Sequence, residues 1–263
     1  MESSLPGKYR ELQKLFSQHK KVAIAFSGGV DSTFLLHAAC ATLGPSLVHA
    51  FHATSELLPY LETERVERVI QEQGCVFHPI PIKPLTWPDF VANGDDRCYH
   101  CKKKIYQTFL VDPSFPVASA LFDGTNHDDL DQDRPGLQAV VELSVQTPLA
   151  DLGFSKKEIR LLSRELSLST WDAPASSCLA TRISQGEPLS REKILLVAQC
   201  EAVLQRKGFM GVRVRLSGDT ATIFVLKKDL PGIEDKCVYS GIKRDFLSLG
   251  LHKVSINQQG RPD

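Results

Sequence analysis

Val22-Ala-Ile-Ala-Phe-Ser-Gly-Gly-Val-Asp-Ser32 is a continuous apolar run that stops at a glycine pair and passes straight into a helical pattern. Without polar alternation, Val22 to Phe26 fits a strand buried on both faces, as in a parallel sheet. Thr33 to Leu43 carries the helical spacing, closed by Gly44-Pro45. A turn between such a strand and helix is suited to an anion, because free N–H groups and the helix dipole meet there. Gly28 and Gly29 let the backbone approach phosphate oxygens without a Cβ in the way. Ser27 and Ser32 offer hydroxyls. Asp31 would repel phosphate alone, but makes sense if it holds Mg²⁺ against it. The loop has neither the lysine nor the length of G-x-x-x-x-G-K-[ST].

Outward from the loop, strand and helix patterns alternate. A helical spacing over 8–20 precedes it. Strands are expected at 47–53, 76–82 and 117–122, and helices at 62–73 and 102–110. This order predicts a doubly wound α/β sheet. Beyond about residue 150 the texture changes. Ser155-Lys-Lys-Glu158 opens a capped helix to Leu166, and 174–186 is irregular. A second capped helix spans 190–207. Strands at 212–216 and 221–226, joined by Ser217-Gly-Asp219, then a helix near 239–249 and a strand at 254–256 complete a small α+β domain. The expected division is residues 1–187, holding the loop and the cysteine segments, and residues 188–263, holding Arg213 and Arg215.

With 263 residues, the chain is long enough for one large or two small domains. Equal counts of basic and acidic residues, 31 each, give no basic excess and argue against a nucleic-acid partner. The N-terminus lacks a signal-peptide pattern, and no stretch approaches the roughly 18 apolar residues of a membrane span. The expectation is a cytoplasmic protein with its seven cysteines reduced.

Cys98 and Cys101 form a C-x-x-C pair, a spacing suited to a metal or cluster, though a structural zinc would need two more ligands. Cys178 stands in an irregular polar segment that could expose its thiol. Cys40, Cys75, Cys200 and Cys237 read as small hydrophobes. Gly124-Thr-Asn126 follows a strand end, where ligands collect in open α/β sheets. Arg213 and Arg215 share one strand face and suit a phosphate, although two surface arginines would give the same pattern. Arg97 and Arg182 neighbour the cysteines and could steady an anion or serve the fold.

Ser27-Gly-Gly-Val-Asp-Ser32 resembles the PP-loop of the ATP pyrophosphatases, which cut ATP between the α and β phosphates. With it come Asp96-Arg-Cys-Tyr-His-Cys-Lys102, Asp123-Gly-Thr-Asn-His-Asp-Asp129, Asp133-Arg-Pro-Gly136 and Pro148-Leu-Ala-Asp-Leu-Gly153. Trp171-Asp-Ala-Pro-Ala-Ser-Ser-Cys-Leu-Ala-Thr-Arg-Ile183 and Val212-Arg-Val-Arg215 follow. In this order, over roughly residues 20–226, the set resembles the LarE family, sulfur transferases of nickel-pincer cofactor synthesis. The resemblance implies a Rossmann-like PP-loop sheet with a smaller C-terminal α+β domain.

It further implies ATP and Mg²⁺, with Ser27 to Ser32 and Gly124, Thr125 and Asn126 at the nucleotide and Asp31 at the Mg²⁺. The substrate would be a small nucleotide-like molecule, pyridinium-3,5-dicarboxylate mononucleotide, with Arg213 and Arg215 at its phosphate and Arg182 and Arg97 nearby. Sulfur would come through a 4Fe–4S cluster on Cys98, Cys101 and Cys178, or from Cys178 itself. A homo-oligomer is also implied. The chain departs from the family in having Ser184-Gln-Gly186 where Pro-Tyr-Gly is common, and Phe224 at an acidic position, which speaks against a metal in the small domain. A PP-loop tRNA thiolase, an ammonia-dependent adenylating synthetase and an inactive nucleotide-binding protein remain as rivals.

Overall fold

The structure, a computed structural model, describes residues 5–117, 119–132, 134–174 and 177–261, with Tyr60 described in its backbone only. Asp133, Ala175 and Ser176 of the quoted motifs lie outside the described residues. The chain opens with α1 (Leu5–Ser17), β1 (Val22–Ala25), α2 (Val30–Leu43), β2 (Val48–Thr54), α3 (Tyr60–Gln73) and β3 (Val76–Pro81). The short α4 (Pro88–Val91) precedes α5 (Arg97–Leu110) and β4 (Leu121–Asp123). Then come α6 (His127–Leu130), α7 (Gly136–Glu142), α8 (Pro148–Asp151) and α9 (Lys156–Glu165). The chain continues through α10 (Arg191–Arg206), β5 (Arg213–Ser217), β6 (Thr220–Phe224), α11 (Leu230–Glu234), α12 (Lys236–Ser248) and β7 (Lys253–Ile256).

Two compact units result, Met1–Pro84 with Asp96–Ala175, and Leu85–Asp95 with Ser176–Asp263. The contacts thus divide the chain ahead of the expected residue-187 boundary and bring an earlier segment into the second unit. The reason is local. Asn93, fully buried in a left-handed conformation (φ 58°), donates its amide to the carbonyls of Ser184 and Glu187, both at 2.8 Å. The Gly186 and Leu189 amides return bonds to the carbonyls of Asn93 and Val91.

In the first unit, β1 to β4 form one parallel sheet in the order β3-β2-β1-β4. β1 is buried along its whole length, and its alternate residues feed two cores. Val22 and Ile24 pack with Leu12, Phe16, Phe34, Leu149 and Phe154. Ala23 and Ala25 pack with Phe51, Tyr106, Phe109 and Leu121. Both faces of the sheet are therefore covered, as a non-alternating strand requires. α3 stops at Gly74, whose left-handed φ of 63° ends the helix with its N–H on the Ile70 carbonyl.

Two elements differ from their sequence expectation. β4 covers only Leu121–Asp123, because Val117 is 96% exposed and the chain enters the sheet where Leu121 becomes buried. α5 begins at Arg97 rather than 102. Its first turn is only half-covered, with Cys98 exposed, and lacks the apolar spacing that marks Tyr106 and Phe109.

The second unit holds a sheet in the order β5-β6-β7, with β5 and β6 antiparallel and β6 and β7 parallel. The turn at Ser217 to Asp219 closes the hairpin as expected, with Gly218 in a left-handed conformation. Among the described residues no helix is long and apolar enough to cross a membrane.

Candidate functional site

The sheet order 3-2-1-4 places a topological switch point between β1 and β4. Ligands of open α/β sheets bind outside the carboxyl ends of the strands at such a point. Ala25 and Asp123, the last residues of β1 and β4, are register partners. Two predicted segments, Ser27 to Ser32 and Gly124 to Asn126, leave the sheet there side by side.

Hydroxyls tie the first loop. The Ser27 and Ser32 Oγ atoms lie 3.0 Å apart, Ser32 donates to the Gly29 carbonyl at 3.2 Å, and the Gly29 N–H reaches Ser27 Oγ at 3.4 Å. Gly28 is left-handed at φ 78°, and a Cβ there would stand 2.5 Å from a methyl of Val66. Gly29 is the residue before α2, which has no side-chain cap, so its first-turn N–H groups keep their capacity for an outside acceptor. Gly124 packs on this loop so closely that a Cβ would lie 2.8 Å from the Ser32 nitrogen. Asn126 caps α6 in a reciprocal box with Asp129.

Asp31 sits in the first turn of α2. Its Oδ2 is ion-paired with Lys156 at the start of α9, whereas Oδ1 is buried with no hydrogen-bond partner among the described residues. Burial pushes the carboxyl above its ordinary range. Lys156 opposes the rise, Asp129 adds to it, and Asn126 opposes it. An orphaned, buried carboxylate oxygen beside an anion-ready loop fits a cation.

Asp123 is held by another set of donors. Thr125 donates its N–H at 2.6 Å and also its hydroxyl to Oδ1. Oδ2 takes the Tyr106 hydroxyl, and the Lys102 ammonium at 3.1 Å. Burial pushes the Asp123 carboxyl upward, but Lys102, Thr125 and Tyr106 outweigh it and hold the carboxyl below its ordinary range. Sequence reasoning missed Lys102 and Lys156. Both lie within helical patterns whose only sequence signal was a solvated charge.

Cys98 and Cys101 stand one turn apart at the start of α5, the first exposed and the second half-buried. That spacing turns both thiols to one side of the helix. The Arg97 guanidinium lies 3.6 Å from Cys98 Sγ. Cys178 belongs to the second unit and precedes a short 3₁₀ turn, Leu179–Arg182. Its carbonyl accepts from the Thr181 N–H and hydroxyl at 3.0 and 2.8 Å. None of the described cysteines is in a disulfide. Among the described residues no group of three or more His, Cys, Asp or Glu side chains is gathered to hold a metal ion.

Arg182 is buried. It donates to Glu201 at 2.8 Å and to the Ser177 carbonyl, and Glu201 also accepts the Val214 N–H. Arg213 and Arg215 share a face of β5, half-buried and exposed respectively. Phe224, at the family's acidic position, carries the Arg215 guanidinium 4.9 Å above its ring. Burial, then the charges of Arg261 and Arg182, push Arg213 down to about 10, with Glu201 opposing and Arg215 contributing. One carboxylate, Glu201, thus faces three guanidiniums, those of Arg182, Arg213 and Arg261, and Arg215 adds a fourth positive charge near Arg213, an arrangement suited to an added anion. Arg261 was not read from the sequence, since it follows a turn at Gly260 near the chain's end and carries no periodic signal.

No family model matches the chain. An uncharacterized protein of Synechocystis is 33% identical to it over 97% of this chain and 95% of that one. The pyridinium-3,5-bisthiocarboxylic acid mononucleotide synthase of Lactiplantibacillus plantarum is 31% identical over 98% of this chain and 93% of its own. An uncharacterized protein of Methanocaldococcus jannaschii is 30% identical over 91% and 90%. With that end-to-end match to the Lactiplantibacillus synthase, and with the motif succession from Ser27 to Arg215 in order, the chain belongs to the LarE family.

Proposed function

We propose that this protein is an ATP-dependent sulfur transferase of nickel-pincer cofactor synthesis. It converts a carboxylate of pyridinium-3,5-dicarboxylate mononucleotide to a thiocarboxylate. The observation that carries the reading is the pairing of Ser27 to Ser32 with Gly124 to Asn126 at the β1/β4 switch point. The name of the Lactiplantibacillus relative supports the substrate class.

A carboxylate is a poor acyl donor, since its leaving group would be oxide. Its oxygen attacks the α-phosphorus of ATP, pyrophosphate leaves, and the acyl-AMP so formed carries a good leaving group. The first-turn N–H groups of α2 and the hydroxyls of Ser27 and Ser32 receive the phosphates. Gly124, Thr125 and Asn126 complete the nucleotide side. Asp31 is the residue that would hold Mg²⁺, which neutralises phosphate charge. Arg213, Arg215 and Arg261 grip the substrate's own phosphate, and Arg182, through Glu201, braces β5 behind them.

A sulfur nucleophile then attacks the acyl carbon, AMP departs, and the thiocarboxylate remains. Cys98, Cys101 and Cys178 are the thiolates that would bind a 4Fe–4S cluster, and three ligands leave one iron able to carry sulfide. Two thiols on one helical turn fit such a role. A second reading needs one thiol only, and the fixed turn at Cys178 favours it. Cys178 Sγ displaces AMP to give a thioester. Loss of the Cys178 α-proton and cleavage of its Cβ–S bond then release the thiocarboxylate and leave dehydroalanine.

The test is substrate-dependent pyrophosphate release from ATP, followed by mass analysis of the pyridinium product. Release together with a gain of sulfur is expected. Release dependent on tRNA, or none with any mononucleotide, would overturn the reading. Asp31→Ala is expected to abolish release.

A further inference from the structure

We infer that Arg160 is a positioning residue for sulfur transfer: its guanidinium pins Trp171 to Ala173, the stretch that carries the chain towards the Cys178 turn, and so fixes where the Cys178 thiol is presented. The inference rests on the reading above that Cys178 takes part in sulfur transfer.

After α9 the chain runs on towards Cys178 without a further helix or strand. Burial holds the first part, with Leu168 and Thr170 at 4% and 0% exposure. That cover ends at Trp171, which is 38% exposed, and Asp172 and Pro174 are exposed as well. Polar ties take over there. The Trp171 and Ala173 N–H groups donate to the Leu168 and Thr170 carbonyls at 3.2 and 3.0 Å. Arg160, on α9, takes the carbonyls of the same two residues. Its Nη1 donates to Trp171 at 2.7 Å and its Nη2 to Ala173 at 2.8 Å.

Both are hydrogen bonds from a charged donor, and a rigid fork fixes two points of the backbone at once. Arg164, one turn further along α9, lies 5.0 Å over the Trp171 ring and holds the side chain as Arg160 holds the backbone. Pro174 fixes its own φ and restricts Ala173 before it. Little freedom therefore remains at the point where the chain leaves for Cys178, four residues on. A reacting atom misplaced by about 1 Å loses on the order of a hundredfold in rate. Adenylation precedes the sulfur step and does not use this thiol, so loosening the pin falls on the second step alone.

The experiment follows single-turnover formation of pyrophosphate and of thiocarboxylate in the full chain, Arg160→Ala and Arg160→Lys, with Cys178→Ala as control. Alkylation of Cys178 by iodoacetamide, read by peptide mass, reports on the thiol without turnover. In Arg160→Ala, thiocarboxylate formation is expected to slow by roughly ten- to a hundredfold while pyrophosphate release holds, and Cys178 is expected to alkylate faster. Arg160→Lys keeps the charge and reaches one carbonyl, so it should fall between; it carries the test if the alanine variant does not fold. Unchanged thiocarboxylate formation, or an unchanged alkylation rate, would overturn the inference. An equal fall in both products would mark a merely structural arginine and overturn it too. If Cys178→Ala still forms thiocarboxylate, the reading of Cys178 itself fails; if it forms none and Arg160→Ala is normal, only the inference fails.

Discussion

Gly124 and Ser32 touch backbone to backbone, with no room between them for a β-carbon: one built on Gly124 lies 2.8 Å from the Ser32 nitrogen and 3.0 Å from its Cα. The segment after β4 is therefore a wall of the phosphate loop. Neither neighbour is the end of a flexible side chain, so the loop itself must give way. Gly124→Ala should cost about 1–3 kcal/mol in urea unfolding, the range for overpacking a tight site. Its KM for ATP should rise while that of the mononucleotide holds. Unchanged stability and KM would mean the two segments separate freely.

Arg182 and Glu201 make the most deeply buried ion pair described, each side chain 4% exposed. Arg182→Ala leaves Glu201 and its Val214 bond in an apolar setting without a counter-charge. The expected loss is about 3–5 kcal/mol, whereas Arg182→Met with Glu201→Leu should lose much less. Thermal unfolding of the three proteins measures the difference. A mild Arg182→Ala coupled to a large fall in substrate affinity would move Arg182 from bracing β5 to gripping substrate.

The sheet was legible because Val22 to Phe26 has no alternation, and the capped helices because Ser155/Glu158 and Ser190 carry their signals locally. What escaped depended on distant partners. Asn93 was not singled out in the sequence; its amide meets Ser184 and Glu187 only in the fold, and that contact moves 85–95 into the second unit. The start of α5 escaped because its half-covered, polar first turn has no apolar period. Lys156 escaped because its value lies in Asp31, and Arg261 because only the tertiary fold sets its charge beside Arg213. The phosphate loop's place at a switch point likewise requires the sheet order, which the sequence pattern leaves open.

His52 supplies a pH test. Its Nδ1 sits 2.8 Å from the Phe26 carbonyl, which can only accept, so the proton is on Nδ1. Burial holds the ring below the ordinary value of 6.5, against the pull of that carbonyl. His49 and His78 are lowered in the same direction, first by burial. Below pH 6.5 the unfolded chain binds protons that the folded chain refuses, so stability should fall as pH drops through that value and stay flat above it. His52→Gln should show a shallower fall in urea midpoint between about pH 7 and pH 5. An equal slope in both proteins would remove His52 from the linkage.

Arg213 and Arg215 stand two residues apart on β5 with Phe224 beneath the second. Replacing both by alanine should raise the KM of the mononucleotide on the order of a hundredfold, with that of ATP unchanged, since each forked phosphate contact is a charge-assisted bond. Arg261→Ala should raise it less, on the order of tenfold. Equal effects on both substrates would contradict a dedicated site for the substrate's phosphate. A substrate lacking its phosphate should be indifferent to all three changes.

Cys178 and the Cys98–Cys101 pair separate the two sulfur sources. Cys178→Ala should abolish thiocarboxylate formation in either reading while leaving adenylation and pyrophosphate release intact, because the sulfur acts only after AMP is in place. Retained transfer would remove Cys178 from the chemistry. Cys98→Ala discriminates. If the pair binds a cluster, protein purified without oxygen should hold about four irons per chain, and the substitution should lose both iron and sulfur transfer. If Cys178 gives up its own sulfur, Cys98→Ala should still complete one turnover, and the spent chain should be lighter by the elements of hydrogen sulfide at residue 178. Iron content and intact mass, measured on the same samples before and after turnover, decide between them.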